Sequence, residues 1–240
     1  MILAVIPAAG LGTRLGSSVP KLFFELNPGK LVLNTIESAL STLVDECCFI
    51  IRPDMVTDFT RLKQNLNSSF LIQEKPIGMG DAIFVAKSKF QYFENILVIW
   101  GDQINLNVNT IKQLIESHRS SHADVSVPLV MAKKPYVCFE FDCNSTLIKV
   151  RQSREGDQMP DSGLSDVGIF LFKSNGIISH WNAYLESEFT LSPITKEVNF
   201  LPFLVYLATN KKEFNFLEIP DVRESVGLNT IEDLRIFKER

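Results

Sequence analysis

The chain has 240 residues but only four cysteines and three histidines, and neither set is spaced for a metal centre. No CxxC occurs, and Cys47 and Cys48 are adjacent on an apolar run while Cys138 and Cys143 flank an expected hairpin strand. That usage excludes a zinc or disulfide framework and predicts reduced core thiols in a cytoplasmic protein. His118, His122 and His180 have no spacing for a metal or a Ser-His-Asp arrangement, and read as structural. Positive charge is scarce: 24 Lys and Arg against 28 Asp and Glu leave a net charge of −4, so no global basic field exists to hold nucleic acid. The longest apolar run, Phe200 to Ala208, contains Pro202 and is far shorter than the roughly 20 residues a bilayer demands. Met1 leads straight into apolar residues with no basic segment before them, so no secretory leader is expected. Repeats and low-complexity tracts are missing. Two familiar glycine loops are missing too: G-x-x-x-x-G-K-[ST] does not occur, and after Gly10 and Gly12 come Leu15 and then Gly16, which breaks G-x-G-x-x-G.

What is present is an ordinary globular composition, 45% hydrophobic with 18 phenylalanines, enough to bury a full core. Apolar runs of strand length alternate with stretches of helical period. Ile2–Ile6, Cys47–Ile51, Phe70–Gln73, Ile96–Trp100 and Asp124–Met131 read as strands. A helix with Leu31, Val32, Ile36, Ala39, Leu40 and Leu43 inward, then Met55–Leu66, Met79–Phe90 and Thr110–Ser120, read as helices between them. This βα alternation predicts parallel strands with helices on both faces. The rhythm then changes. Val137–Asp142 and Thr146–Val150 alternate as a hairpin about Cys143-Asn144-Ser145, and Arg154–Ser165, polar with Gly156, Pro160 and Gly163, reads as a loop. Val167–Phe172 and Phe214–Ile219 read as strands, Asn175–Leu185 and Val198–Thr209 as helices, and Thr230–Lys238 as a last helix with Ile231, Leu234 and Phe237 inward. The expected architecture is one α/β domain over residues 1–240, a doubly wound, Rossmann-like mixed and mainly parallel sheet with an inserted β-hairpin.

The densest chemistry lies in residues 7–21, PAAGLGTRLGSSVPK, directly after the first strand. Gly10 and Gly12 lack Cβ, so backbone N–H groups there can approach an anion closely. Arg14 can fork two donors onto phosphate oxygens, and Lys21 brings a mobile point charge behind Pro20, whose φ is fixed. Three more segments fall at carboxyl ends of predicted strands, where open α/β sheets bind ligands: Gln73–Asp81, Gly101-Asp102 and the loop before Val167. Asp102 suits a Mg²⁺ shared with phosphates, since that ion takes few carboxylates; an Asp closing a turn is the other reading. Asn229, before the last helix, reads either as its N-cap or as a second ligand. Gln73 offers both donor and acceptor to a base edge, and Gly78 and Gly80 either allow close approach to that base or simply open a helix.

Residues 7–21 resemble the signature A-A-G-x-G-T-R-[LM]-x-x-x-x-P-K of the sugar-1-phosphate nucleotidyltransferases, and the likeness extends over nearly the whole chain, nearest to the uridylyltransferase half of the bacterial bifunctional N-acetylglucosamine-1-phosphate enzymes. The resemblance implies the nucleotide-diphospho-sugar transferase fold, with a nucleotide-binding half over about 1–130 and an acceptor-binding half over about 131–240. It implies Arg14 and Lys21 as catalytic residues, nucleotide contacts from Ala8, Ala9, Gly10, Leu11, Gly12, Thr13, Gln73, Gly78 and Gly101, and a Mg²⁺ ion on Asp102 and Asn229. Met79 stands where the family has Thr in its base loop. On the acceptor side Tyr136 sits in Pro-Tyr-Val rather than Gly-Tyr-Gly, Arg151 replaces a Glu, Asp166 replaces an Asn, and Glu197 matches a Gly-Glu that reaches the sugar. These exchanges alter charge and hydrogen-bond roles, so the acceptor is expected to differ from N-acetylglucosamine-1-phosphate; Arg154 and Asp157 either supply new contacts or belong to a solvated loop. The partners implied are an NTP and a phosphorylated small molecule, with no nucleic acid and no membrane, and no acetyl transfer is expected. A cytidylyltransferase acting on phosphocholine, with Tyr136 and Trp181 as candidate cage residues, and a nucleotide-binding regulatory module without turnover are the competing readings.

Overall fold

The strand β1 (Ile2–Pro7) sets the architecture. Its side chains alternate across the pleat, and both faces are apolar: Ile2, Ala4 and Ile6 enter one core, Leu3 and Val5 the other. A strand buried on both sides needs helices on both sides. In this computed structural model, which describes residues 1–10, 12, 15–16, 19–187, 190–192, 194–230 and 232–234, that is what the chain builds. The Ile2 face packs against α1 (Val32–Leu40), α2 (Val56–Leu62) and α5 (Val108–Ser121), through Leu33, Ile36, Phe59, Ile111 and Leu114. The Leu3 face packs against α3 (Met79–Val85), α4 (Lys87–Phe90), α6 (Ile177–Leu185) and α7 (Leu201–Thr209). Here the phenylalanines gather: Phe84 stacks on Trp181 at 4.1 Å, and Phe203 meets both edge-on. Each fully buried aromatic or aliphatic side chain contributes about 1.5–3 kcal/mol.

Beside β1 lie β4 (Glu46–Ile51) and β6 (Asn95–Ile99), with β5 (Ser68–Ile72) outside β4, all parallel. Next to β6 comes β11 (Ile169–Lys173), antiparallel, then the long strand β7 (Val125–Lys133). Along one edge of β7 run first β11 and then β10 (Ser162–Asp166); β12 (Phe214–Glu218) pairs parallel with the same β7 residues and therefore takes the other edge. The hairpin β8 (Val137–Phe141) and β9 (Leu147–Gln152) extends the sheet beyond β10. Two short strands, β2 (Glu25–Asn27) and β3 (Lys30–Leu31), form a separate hairpin. The fold is the expected mixed α/β sheet with an inserted hairpin.

Several local expectations are corrected. The 154–165 stretch is not all loop: Ser162–Asp166 is strand β10, because β7 offers a full antiparallel edge to it. The helix expected over Met55–Leu66 ends at Leu62, where Lys63 turns extended, so Leu66 is 94% exposed rather than on the buried face. The Met79–Phe90 helix is interrupted at Ala86. Within the last expected helix only Asp233 and Leu234 are helical among the described residues, and Leu234 packs on the core; Ile231 and Phe237 lie outside them.

Because β1, β4, β5 and β6 are parallel, their carboxyl ends share one edge. The antiparallel β11 begins at that edge, with Ile169 beside Ile99. The loops after Pro7, Ile51, Ile72 and Ile99 and the turn before Ile169 are thereby brought together, although they are far apart in sequence.

Candidate active site

A cleft of about 350 Å³ opens at this edge, lined by residues of the glycine loop, the Gln73–Ala82 segment, Gly101-Asp102, and Arg154, Glu197 and Asn229. Its floor is the junction of β1 and β6. Gly101 donates its N–H to the Pro7 carbonyl at 3.1 Å, and a Cβ there would stand 2.5 Å from that oxygen, so only glycine lets the two loops meet. Ala8, Ala9, Gly10 and Gly12 all line the cleft. Leu11, Thr13 and Arg14 lie outside the described residues. Arg52, which the sequence reading passed over, braces the loop from below: one guanidinium nitrogen donates to the carbonyls of Ala9 (3.2 Å) and Gly10 (2.9 Å), while Asp54 holds its other side.

Lys21 opens a 3₁₀ turn behind Pro20, at φ −54°. Its stem runs beside Gly12, whose φ of 63° disfavours any side chain and where a Cβ would stand 3.0 Å from the Lys21 Cγ. Its Nζ reaches two oxygens from opposite ends of the chain: Asn229 Oδ1 at 2.9 Å and Asp102 Oδ2 at 3.3 Å. Asp102 follows β6, and the Leu228 N–H donates to the Asp102 carbonyl at 2.7 Å, which ties the C-terminal segment to that loop. Gln103, another residue not singled out from sequence, fastens the same junction by donating to the carbonyls of Val167 (2.6 Å) and Glu224 (3.0 Å). The Asn229 side chain does not cap the following turn. Asp233 does so, its Oδ2 accepting from the N–H groups of Asn229 (2.8 Å) and Thr230 (2.6 Å). The Asn229 amide nitrogen faces the Gly227 carbonyl, which aims Oδ1 at the cleft.

Asp102 Oδ2 and Asn229 Oδ1 thus converge on one cationic nitrogen. Two hard oxygen donors suit an ion that takes its remaining ligands from phosphate and water, and the described residues contain no cluster of three or more His, Cys, Asp or Glu to cage an ion by themselves. The pair therefore fits Mg²⁺.

At the opposite end, Gln73 is buried and spends both amide protons inside the protein, on Asp81 Oδ2 (2.7 Å) and the Gly78 carbonyl (3.2 Å). Gly78 and Gly80 are needed for a reason the sequence did not reveal. The Val198 backbone lies across them, with Val198 N donating to Ile77 O (2.8 Å) and Gly80 N to Val198 O (3.0 Å). Ser192 and residues 195–199 are in turn clipped to the loop after β9 by Glu155, whose carboxylate accepts from the hydroxyls of Ser192 and Thr195 and from the Asn199 amide. Arg154 pairs with Glu197 there, and both face the cleft.

Two acceptor-side expectations are not met by this geometry. Arg151 pairs with Glu140 across the β8–β9 hairpin and donates to the Gln158 carbonyl, and Tyr136 sits half-exposed at the start of that hairpin; neither lines the cleft. The reason is the pleat: Val150 and Gln152 turn inward and Arg151 between them turns away. Asp166 is buried behind the cleft, closing a turn by accepting the Gly168 N–H at 2.8 Å. Burial, with the nearby Asp102 charge adding to it, pushes its carboxyl up to about 6 against the opposing pull of that N–H. Trp181 is buried beneath Phe84, and no described residue lining the cleft is aromatic, so Tyr136 and Trp181 form no cage.

A glycine loop after β1, an Asp after β6 and a Lys–Asn pair closing over it define a nucleotide-handling α/β domain. The sequence comparison sharpens that class: residues 4–163 match the MobA-like NTP transferase domain, and the chain belongs to that nucleotidyltransferase family. Among curated relatives it is 26% identical over 98% of its length to the bifunctional protein GlmU of Buchnera aphidicola subsp. Schizaphis graminum. It is 28% identical over 72% of its length to the GlmU of Synechococcus sp. (strain CC9311). The chain spans 50% and 39% of those two proteins. Among solved structures it superposes with a TM-score of 0.75 on one reported as a glucose-1-phosphate thymidylyltransferase from Bacillus anthracis in complex with sucrose, covering 98% of this chain and 93% of that one at 16% identity. The resemblance to sugar-1-phosphate nucleotidyltransferases read from residues 7–21 holds in fold and family. No helix among the described residues is long and apolar enough to cross a membrane.

Proposed function

We propose that the protein transfers a nucleoside monophosphate from an NTP to a sugar-1-phosphate, with Mg²⁺, releasing pyrophosphate and an NDP-sugar. The observation that carries this reading is the convergence of Lys21, Asp102 and Asn229 on one point of a cleft floored by the glycine loop. In this reading residues 1–130 supply the nucleotide side and 131–240 the acceptor side of a single domain. An oxygen of the acceptor phosphate attacks the α-phosphorus in line, the bond to the β-phosphate breaks, and pyrophosphate departs. A phosphate monoester is already nucleophilic at neutral pH, so no general base is required and positioning with charge neutralisation dominates. Lys21 neutralises charge at the α-phosphate, the braced N–H groups of the loop at Gly10 and Gly12 hold the triphosphate, and Arg14 holds the departing pyrophosphate. Asp102 and Asn229 hold Mg²⁺, which when bound offsets the charge of the phosphates. Gln73 and the Gly78 segment receive the base, with Pro76 and Met79 as apolar walls; Arg154 and Glu197 meet the acceptor in place of Arg151 and Tyr136. That no described residue of the lining is aromatic argues against phosphocholine as acceptor, and the joint presence of Lys21, Asp102 and Asn229 argues against a module without turnover.

Pyrophosphate release from each of four NTPs against a panel of hexose and amino-hexose 1-phosphates and phosphocholine tests this. One Mg²⁺-dependent NTP and sugar phosphate pair is the expected result. Release with phosphocholine alone, or none with any pair, would refute it.

A further inference from the structure

The position of the Lys21 ammonium has a consequence for how the cleft fills. It lies 2.9 Å from Asn229 Oδ1 and 3.3 Å from Asp102 Oδ2, the same two oxygens that suit a divalent cation. The contact is largely shielded, with the lysine side chain only 17% exposed, and it is held from several sides. Gly12 packs against the Lys21 stem, Pro20 fixes the chain before it, and the Gly227 carbonyl and the Asp233 carboxylate lock Asn229 with Oδ1 toward the lysine. Glu197, which lines the cleft with Asp102, is already paired with Arg154.

We propose that Lys21 is the resident cation of this pair in the nucleotide-free protein, so that divalent metal is excluded until a polyphosphate draws the lysine away. An ammonium and a dication cannot share two oxygens at these distances, because like charges a few ångströms apart in a partly shielded site repel strongly. The triphosphate supplies the exchange. It offers Lys21 a new anionic partner and brings oxygens that complete the metal's shell. Metal and nucleotide therefore bind with positive coupling, and linkage makes the coupling reciprocal. One residue serves both states: in the empty cleft it keeps Asp102 and Asn229 paired and pre-set, and in the filled cleft it moves to the phosphate. The proposal rests on Asp102 and Asn229 as the metal pair.

The test reads metal binding and needs no turnover. Free Mn²⁺ is followed by electron paramagnetic resonance as it is titrated into the intact, nucleotide-free protein and its Lys21→Met, Arg154→Met and Lys21→Met/Asp102→Asn variants, each checked for folding by circular dichroism. Wild type should take up Mn²⁺ at this site at least about tenfold more weakly than Lys21→Met, within the range of typical coupling factors. The double variant should lose that gain. Arg154→Met removes a cation from the same cleft without vacating the pair and should behave as wild type. Equal affinity in wild type and Lys21→Met, no gain in Lys21→Met, or an equal gain in Arg154→Met would each overturn the proposal. A gain in Lys21→Met together with no turnover in the NTP panel would sink the proposed reaction and leave this inference standing; turnover without the gain would do the reverse.

Discussion

Replacing Gly78 by alanine separates the structural from the ligand-facing use of the glycines. Gly78 sits at φ 142° and ψ 165°, a region open to glycine almost alone, and placing alanine there costs about 1–3 kcal/mol. A Cβ would also stand 2.3 Å from the Val198 oxygen and 2.6 Å from its nitrogen. These are backbone atoms, so relief requires residues 195–199 to lift. The hydrogen bonds Val198 N to Ile77 O and Gly80 N to Val198 O then break, each worth about 0.5–1.5 kcal/mol. The total is about 2–6 kcal/mol, a large part of the roughly 5–15 kcal/mol that holds a domain together. Gly10 is the contrast: nothing lies within 4 Å of its would-be Cβ, and its φ is not in the left-handed region. Gly10→Ala should leave stability within about 0.5 kcal/mol while weakening nucleotide binding by intruding on the phosphate approach. Urea unfolding gives the first quantity for both variants, and calorimetric NTP titration gives the second. A Gly78→Ala loss under about 1 kcal/mol, or a Gly10→Ala loss as large as that of Gly78→Ala, would refute the reasoning that Val198, rather than the ligand, imposes glycine at 78.

Lys21→Ala and Arg14→Ala should each slow turnover about 10²–10³-fold, comparable with losing a preorganised oxyanion donor, and near wild-type kcat in both would contradict the mechanism. His118 is buried between Ser126 and Asn95, and burial, aided by Lys173 and Arg119, lowers it to about 4. Its folded value lies below its unfolded one, so the stability it contributes is present above about 6.5 and is lost as pH falls toward 4, about 3 kcal/mol in all. Unfolding followed from pH 7 to 4 should therefore steepen in wild type and flatten in His118→Gln. Cys47 and Cys48 are buried on β4, which pushes them up to about 12 and about 11, Cys138 is also buried, and Cys143 alone is exposed. A thiol reagent should count one fast cysteine in the native protein and four after unfolding; rapid labelling of more than one would mean that β4 or the β8 strand opens readily.

Most of the proposed nucleotide side is legible in the chain, because its parts are local. Residues 7–21 are one contiguous stretch of sequence from the end of a strand to the start of a 3₁₀ turn, and Gly101-Asp102 follows a strongly apolar strand. Their chemistry depends on spacing within a few residues, and the parallel arrangement that gathers them follows from the βα alternation. The proposed acceptor side is less legible. Arg151 and Tyr136 align with family positions, but the pleat of β9 and the pairing with Glu140 turn Arg151 elsewhere. Arg154 and Glu197 become neighbours through a clip made by Glu155, Ser192, Thr195 and Asn199, polar residues whose partners lie some forty positions away. Strand β10 was hidden for a related reason: its sequence is polar and glycine-bearing, and it is strand because β7 has a free edge.

The sequence alone therefore determined the alternating α/β layers and the placing of the glycine loop and Asp102 after apolar strands, since each is written in local pattern, while the family resemblance singled out Lys21, Asp102 and Asn229 as a set. Tertiary structure alone decided how they are used. Whether Asn229 caps a turn or faces the cleft depends on Asp233, whether Gly78 serves a base or Val198 depends on a segment 120 residues away, and what Lys21 holds depends on two oxygens at the ends of distant elements. Hydrogen bonds and ion pairs act over about 3 Å, and only folding fixes distances on that scale between residues remote in sequence.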